Sequence, residues 1–248
     1  LSQTIRTPVY TRKGQTQELP PNLGATVTGY QIIKYVTEPQ YDTNDQSITD
    51  LPIFRFGEII LNFAEAKAEL GTVSQTDIDN SINVLRNSVA MPHITINAAN
   101  NDPDPYMQNQ YPQVKGNNAG LLLEIRRERR IELYMENFFW DDMVRWKAGQ
   151  FITRPLRGLY VPGPGEYDFD GDGDTDVVFY KDDAPGNQIE GIQYLKLDSD
   201  VFLSENNLID PQPNFNNRSF NENKDYLYPI PRIELQLNPN LEQNPGWE

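Results

Sequence analysis

The most constraining feature of this sequence is the stretch from Leu121 to Ala148, which is both strongly apolar and strongly charged. It contains no proline or glycine and Gly149 follows it, which predicts one long helix ending at that glycine. At 100° per residue, apolar and charged side chains fall in one sector of this helix. They are Leu121, Leu122, Ile125, Phe139, Trp140, Met143, Arg129, Glu132 and Glu136. Because an unpaired buried charge is costly, another segment must supply counter-charges.

An earlier helix is the expected source of these counter-charges. Asp50 is a candidate N-cap, Pro52 lies in the first turn, and the helix is predicted from Ile53 to about Leu70, with Gly71 ending it. We expect Arg129, Glu132 and Glu136 to be mostly buried. Their predicted partners are Arg55, Glu58, Glu65 and Arg86.

The region from residue 51 to residue 149 is predicted to be a helical core. Ser74 and Asp77 form a variant capping box that opens a second helix running through Asn87, so the first two helices make an antiparallel hairpin of the kind found in helical repeats. Residues 92–118 are predicted to be a long loop. Residues 29–36 read as a brief strand, and residues 150–248 as loops with short strands. The fold class is therefore mainly α, with helix pairs and a loop-rich part.

Composition excludes several classes of function. The chain has 248 residues and a formal net charge of −15, which argues against binding to nucleic acid. It has no cysteine and one histidine, His93, so thiolate metal sites, disulfides and multi-histidine metal centres are excluded. No apolar run reaches the length of a transmembrane helix.

Three stretches resemble the SusD/RagB family of nutrient-binding outer-membrane lipoproteins. The first is IFRFGEIILNFAEA at 53–66, followed by INVLRN at 82–87 and Met91-Pro92; the second is IRRERRIELYME at 125–136, with WDDMVRW at 140–146. The third is YLYPIPRIELQLNPNLEQNPGW at 226–247. Together they cover roughly residues 28–247, and we interpret residues 1–248 as the C-terminal portion of such a protein.

The resemblance implies a fold and a function. Family members combine tetratricopeptide-like helix pairs with a loop-rich part, bind glycans or in some cases peptides at the cell surface, and act with a TonB-dependent transporter of the SusC type. It also implies an outer-membrane location facing the exterior, with membrane association through lipidation of an amino-terminal part that this sequence lacks. Members bind ligands without cleaving them, so no catalysis is expected.

Two roles are possible for Glu132 and Glu136. Two carboxylates one turn apart loosely match the acid pair of a glycoside hydrolase. The alternative is a buried ionic network that fixes the register of the helices. A secreted glycan-cleaving enzyme therefore stays an alternative to a binding protein, as do a peptide-binding member of the same family and a helical scaffold for protein partners.

The sharpest local chemical signal is an acidic repeat in the loop-rich part. Alternating aspartates with intervening glycines present several hard oxygen ligands in a tight turn, which is how proteins bind Ca²⁺. The repeat consists of Asp168, Asp170, Asp172, Asp174 and Asp176, and it lacks the glutamate that closes an EF-hand. We expect a structural Ca²⁺ site.

Tyrosines in loops are the candidate ligand-binding residues. Sugar C–H faces stack on aromatic rings, while the hydroxyls pair with polar side chains. The candidates are Tyr106, Tyr111, Tyr160, Tyr167, Tyr180 and Tyr194.

Overall fold

The computed structural model describes residues 10–11, 18–41, 45–50, 52–215 and 217–248. The chain divides into two compact units, Asp50–Ala148 and the combination of Leu1–Thr49 with Gly149–Glu248. We call them the helical unit and the loop-rich unit. The longest helices have 14 residues, and none of those described is long and apolar enough to cross a membrane.

Seven helices make up the described part of the helical unit. They are α1 (Phe56–Glu69), α2 (Gln75–Asp79), α3 (Ile82–Ser88), α4 (Ile96–Asn101), α5 (Pro105–Gln110), α6 (Ala119–Glu132) and α7 (Phe139–Arg145). Helix α6 packs against α1, α4 and α5. Leu61, Ile78, Ile82, Leu121 and Ile125 are fully buried in the shared core. The predicted mainly α fold is confirmed.

Helix α1 begins later than predicted. Asp50 does not cap it; Arg55 is the residue before the first helical turn, with an extended backbone (φ −124°, ψ 144°). In that conformation the Arg55 guanidinium contacts Glu132 and Glu136. These contacts take the place of the helical turn that was predicted to begin at Ile53. The predicted C-terminus is confirmed, because Gly71 has φ 68° and the N–H groups of Gly71 and Thr72 bond back to Ala68 and Lys67.

The second predicted helix is broken in two. The capping box of Ser74 and Asp77 is present as expected. The Ser81 hydroxyl donates to the Asp77 carbonyl at 2.6 Å, and Ser81 leaves helical geometry (φ −128°, ψ −92°). A side chain that bonds back to the preceding turn competes with the helix, so α2 ends at Asp79 and α3 starts at Ile82.

Residues 92–118 are not the continuous loop that was predicted. Thr95 caps α4 by accepting the Ala98 N–H at 3.2 Å. Asp104 caps α5 by accepting the Tyr106 N–H at 2.7 Å, with Pro105 at the first helical position. These are ordinary capping signals within a polar stretch.

The long helix predicted from Leu121 to Ala148 is wrong as a single element. It breaks after Glu132, where Met135 and Asn137 both take φ 66°, and it resumes as α7. Arg129 and Asp142 are 13 residues apart and would be separated by about 20 Å along one continuous helix. The break lets them form an ion pair at 2.7 Å. Gly149 does not end the helix, because α7 stops at Arg145.

The loop-rich unit contains short strands around a small core. β1 (Tyr10–Thr11) and β2 (Glu18–Leu19) pair antiparallel, while β3 (Gly165–Tyr167) and β5 (Gln193–Lys196) flank β4 (Val177–Tyr180). β4 runs antiparallel to β3 and parallel to β5. Its Val177 and Phe179 are buried with Val161 and Ile209. Residues 29–36 are mostly turns and irregular backbone, not the predicted strand.

The C-terminal motif is held together by amide side chains and includes one unpredicted helix, α8 (Arg232–Leu237). The Gln243 side-chain amide accepts the Ile230 N–H at 2.8 Å and donates to the Ile230 carbonyl at 3.0 Å. Asn244 Nδ2 donates to the Tyr228 carbonyl at 2.7 Å. Trp247 Nε1 donates to the Leu227 carbonyl at 3.0 Å. These bonds explain why the motif is rich in Asn and Gln.

Candidate functional site

The predicted ion pairs of the helical unit form, with partly different partners. Arg55 Nη2 lies 2.7 Å from Glu132 Oε1 and 2.7 Å from Glu136 Oε1, as expected. Arg129 is buried, but its partners are Asp142 and Asn62, not the predicted glutamates. Glu132 is only half-buried. Arg86 pairs with Glu128.

Glu65 accepts three hydrogen bonds within this network. It accepts Arg145 Nη1 and Nη2 at 2.6 and 2.7 Å and Trp146 Nε1 at 2.6 Å. Burial acts to raise the pKa of Glu65, but the hydrogen bonds from Arg145 and Trp146 outweigh it and lower the pKa below its usual value. A carboxylate held this way is a poor proton donor, so these contacts favour a structural role for Glu65.

The structure places the six candidate tyrosines in different environments, two of them in the helical unit and four in the loop-rich unit. Tyr106 and Tyr160 are exposed. Tyr111 is buried edge-on against Trp146, with ring centres 5.7 Å apart. Tyr167, Tyr180 and Tyr194 are half-buried in or beside the small sheet. Tyr167 donates its hydroxyl to the Gly163 carbonyl at 2.8 Å, and Tyr194 accepts the Ile189 N–H at 3.0 Å.

A cleft in the loop-rich unit has the mixed lining that suits a sugar. Its volume is about 440 Å³, and it carries two exposed phenylalanines among carboxylates and amides; we call it the Phe202–Phe215 cleft. Its lining is Val27, Asp200, Val201, Phe202, Ile209, Asp210, Pro211, Gln212, Pro213, Asn214 and Phe215. Asp210 is held by Arg157 at 3.0 Å and accepts the Gln212 N–H, which fixes the cleft wall. This cleft contains none of the six candidate tyrosines, and much of its lining comes from the segment Pro211 to Phe215.

A second cleft lies in the helical unit, at the break between α6 and α7. Its volume is about 350 Å³, and its lining is mostly aromatic and aliphatic, including Leu133, Tyr134 and Phe138. Among its polar side chains, Arg129 pairs with Asp142, and the Arg130 guanidinium lies 3.8 Å from the Phe139 ring centre. Its lining is more apolar than that of the Phe202–Phe215 cleft.

The acidic repeat gathers three of its five aspartates. Carboxylate oxygens of Asp168, Asp170 and Asp176 lie within 4.8 Å of one another, whereas Asp172 and Asp174 are not part of that group. Asp168 accepts the Gly171 and Gly173 N–H groups at 2.6 and 2.9 Å, and both glycines have positive φ. Desolvation and the neighbouring carboxylates raise the pKa of Asp170. A hard cation would relieve that repulsion, so this donor set fits Ca²⁺.

Two solved structures share the fold of this chain. A solved SusD-like carbohydrate-binding protein from Bacteroides fragilis matches with a TM-score of 0.57 and 23% identity, covering 96% of this chain and 40% of that chain. A second SusD-like protein from the same organism matches with a TM-score of 0.56 and 21% identity, covering 98% and 37%. The chain thus spans less than half the length of these relatives.

A search of curated proteins gave no match. The family model for the SusD family matches residues 4–247, and this chain therefore belongs to the SusD family.

Proposed function

We propose that this chain is part of a cell-surface binding protein that captures oligosaccharides. The observation that carries the proposal is the Phe202–Phe215 cleft, where Phe215 is 68% exposed beside Gln212 and Asn214. An exposed ring is costly in water but stacks well on the C–H face of a sugar, and neighbouring amides pair with its hydroxyls. Family membership and a carbohydrate-binding relative support this reading.

The dimensions of the cleft suit a short glycan segment. At about 440 Å³ it lies within the range of roughly 300–1,000 Å³ that is usual for small-molecule sites. Asp210, already held by Arg157, gives the cleft a preformed wall. A preformed site loses less entropy when it binds its ligand, so we expect binding without a large rearrangement.

The rest of the proposed role follows from the family. The captured glycan passes to a partner TonB-dependent transporter of the SusC type, at the outer membrane and facing the exterior. No catalysis is included, because Glu132 and Glu136 are engaged by Arg55 and Glu65 by Arg145 and Trp146. A cationic peptide is the alternative ligand, favoured by the net charge of −15.

We also propose that Ca²⁺ binds the acidic repeat through Asp168, Asp170 and Asp176. Its role would be to order the loop between β3 and β4. No chemistry at the metal is proposed.

The test compares two phenylalanine variants. A glycan and peptide array, with and without EDTA, first identifies a ligand of the chain, and titration calorimetry then measures its affinity for Phe215→Ala and for Phe54→Ala. Phe54 is 83% exposed but lies in the helical unit, so it is the matched control. We expect Phe215→Ala to weaken glycan binding about fivefold, since a stacked ring contributes about 1 kcal/mol.

The control variant should bind like the unmodified chain. Equal affinity of the two variants, or binding of peptides only, would contradict the glycan proposal and leave the family assignment intact.

A further inference from the structure

The Phe202–Phe215 cleft carries two carboxylates that differ in their pairing. Asp210 is 8% exposed, and its oxygens accept Arg157 Nη1 and the Gln212 N–H, both at 3.0 Å. Asp200 is exposed, and its carboxylate accepts the Lys196 backbone N–H at 2.8 Å. Asp200 forms no ion pair with any residue that the structure describes. It therefore brings a negative charge to the cleft that no cationic side chain of the described residues neutralises.

No cationic side chain lines this cleft among the described residues. Arg157 lies outside the lining, and its Nη1 also donates to the Leu156 carbonyl at 2.7 Å, so it holds Asp210 in place from behind the wall. An anionic ligand would meet two carboxylates and no opposing charge in the lining. Like charges brought together at a binding site disfavour the complex.

Backbone hydrogen bonds join the two chain segments that line the cleft. The Asp210 N–H donates to the Phe202 carbonyl at 2.7 Å, and Leu203 pairs with Ile209 in an antiparallel bridge. Asp200 lies two positions before Phe202 and is tied to Lys196 by its own carboxylate. The charge and the aromatic rings are thus presented by one connected part of the fold, and a preformed arrangement loses less entropy on binding.

The aromatic rings add a preference of the same sign. Phe202 and Phe215 are both exposed in the cleft. The face of an aromatic ring is negative and attracts a cation that lies within about 6 Å of its centre. A ligand with an ammonium group is therefore attracted by the rings and by Asp200, whereas a ligand carboxylate is repelled by both.

We propose that the Phe202–Phe215 cleft selects its sugar by charge. It binds amino sugars with a free amine more tightly than neutral sugars and disfavours uronic acids, and Asp200 sets this preference by pairing with the ammonium group. The proposal rests on the glycan-binding function proposed above and names the class of sugar. A lysine-bearing peptide would use the same charge, but the amides of Gln212 and Asn214 beside the rings suit sugar hydroxyls.

The size of the preference follows from the exposure of Asp200. An ion pair at an exposed position is weakened by water, so we expect about three- to fivefold between the amino and the neutral form of one sugar. Salt screens such a pair, and at about 1 M salt the preference should fall below about twofold. Binding that depends on hydrogen bonds alone would not lose its preference in salt.

The probes are trisaccharides of 1,4-linked glucose, mannose and galactose, each in three forms. The first form is unmodified, the second carries a free amine at carbon 2, and the third is oxidised to a carboxylate at carbon 6. Each is titrated into the full chain at about pH 6, where ammonium and carboxylate groups are both charged. Two-dimensional NMR gives the affinity and shows that each variant is folded. Trilysine is titrated as the peptide probe.

The matched variants are Asp200→Asn and Asp183→Asn. Asp183 is exposed in the same unit and outside the cleft lining, so its variant loses the same charge from a chain of net charge −15. Asparagine at position 200 keeps an oxygen that can accept the Lys196 N–H. The readout is the ratio of the affinities for the amino and the neutral form, which a change in overall sugar affinity does not move.

On each sugar backbone that binds, the amino form should bind about three- to fivefold more tightly than the unmodified form, and the uronic form should bind least. The ratio should fall to about one in Asp200→Asn and stay unchanged in Asp183→Asn. Equal affinity of the three forms, or a ratio that survives in Asp200→Asn, overturns this proposal and leaves the glycan-binding function standing.

Two other results would overturn the proposal together with the function on which it rests. One is tighter binding of trilysine than of every trisaccharide, which would make a cationic peptide the ligand. The other is no binding of any trisaccharide at saturating concentration.

Discussion

Replacing Asp142 by alanine tests the central ion pair of the helical unit. Asp142 and Arg129 are both buried, with side chains 5% exposed, and two Arg129 Nε contacts to the carboxylate measure 2.8 and 2.7 Å. The variant leaves Arg129 with Asn62 Oδ1 at 2.6 Å as a neutral partner. Removing one side of a buried pair costs roughly 3–5 kcal/mol, because the remaining charge stays buried. The retained bond to Asn62 places the expected cost near the lower end, at about 3 kcal/mol.

The assay is urea unfolding followed by tryptophan fluorescence. Trp146 contacts Glu65 and Arg145 in the same network, so its emission reports on this unit. With a slope of about 2 kcal/mol per molar urea, the midpoint should fall by roughly 1.5 M. Asp141 is the matched control, because it precedes Asp142 in the first turn of α7 but is exposed. Both variants lose the same favourable charge at the helix N-terminus.

Asp141→Ala should change stability by no more than about 0.5 kcal/mol. If the two variants unfold at the same urea concentration, the buried pair does not stabilise the fold and the explanation of the break between α6 and α7 fails.

Three further predictions follow from single residues. Glu65 has a lowered pKa in the folded chain, so the stability that its ionised carboxylate contributes is complete above the unfolded pKa and is lost as pH falls through the folded pKa. The difference in unfolding free energy between the unmodified chain and Glu65→Gln should therefore shrink below about pH 4, which acid denaturation measures. Gly120→Ala should destabilise the helical unit by about 1–3 kcal/mol, because the added Cβ would lie 1.9 Å from the Ala99 carbonyl oxygen. The control is Gly186→Ala, whose Cβ meets no atom within 4 Å and which should leave the melting temperature unchanged. Calorimetric titration with Ca²⁺ should detect a site whose affinity is weakened by Asp168→Asn and unchanged by Asp182→Asn. If neither variant binds Ca²⁺, the proposed metal site is wrong.

The sequence predicted the types of elements better than their continuity. The α1 C-terminus at Gly71 and the capping box at Ser74 were predictable because each depends on local backbone chemistry. The breaks after Asp79 and Glu132 were not, because no proline or glycine marks them. The second break exists because Arg129 and Asp142 pair across it, and such a tertiary contact outweighs local helix propensity.

The candidate site was less predictable than the fold. The sequence correctly predicted that charges in the helical unit pair, and Arg55 has the predicted partners. Arg129, however, pairs with Asp142, which lies in the same predicted helix. Tyrosines were chosen for their chemistry alone, and their burial depends on packing that a single sequence does not show. Phe202 and Phe215 lie 13 positions apart in irregular backbone, so no periodic pattern could bring them to one cleft before the fold was known.

The most direct test of the proposed function maps the glycan on the chain. Two-dimensional NMR of the ¹⁵N-labelled chain is recorded while an oligosaccharide identified by the array is added. The account predicts that the largest amide shift changes cluster at residues 200–202 and 210–215, with little change in α6 and α7. Shift changes confined to the helical unit, or none at saturating sugar, would contradict the claim that the Phe202–Phe215 cleft binds the glycan.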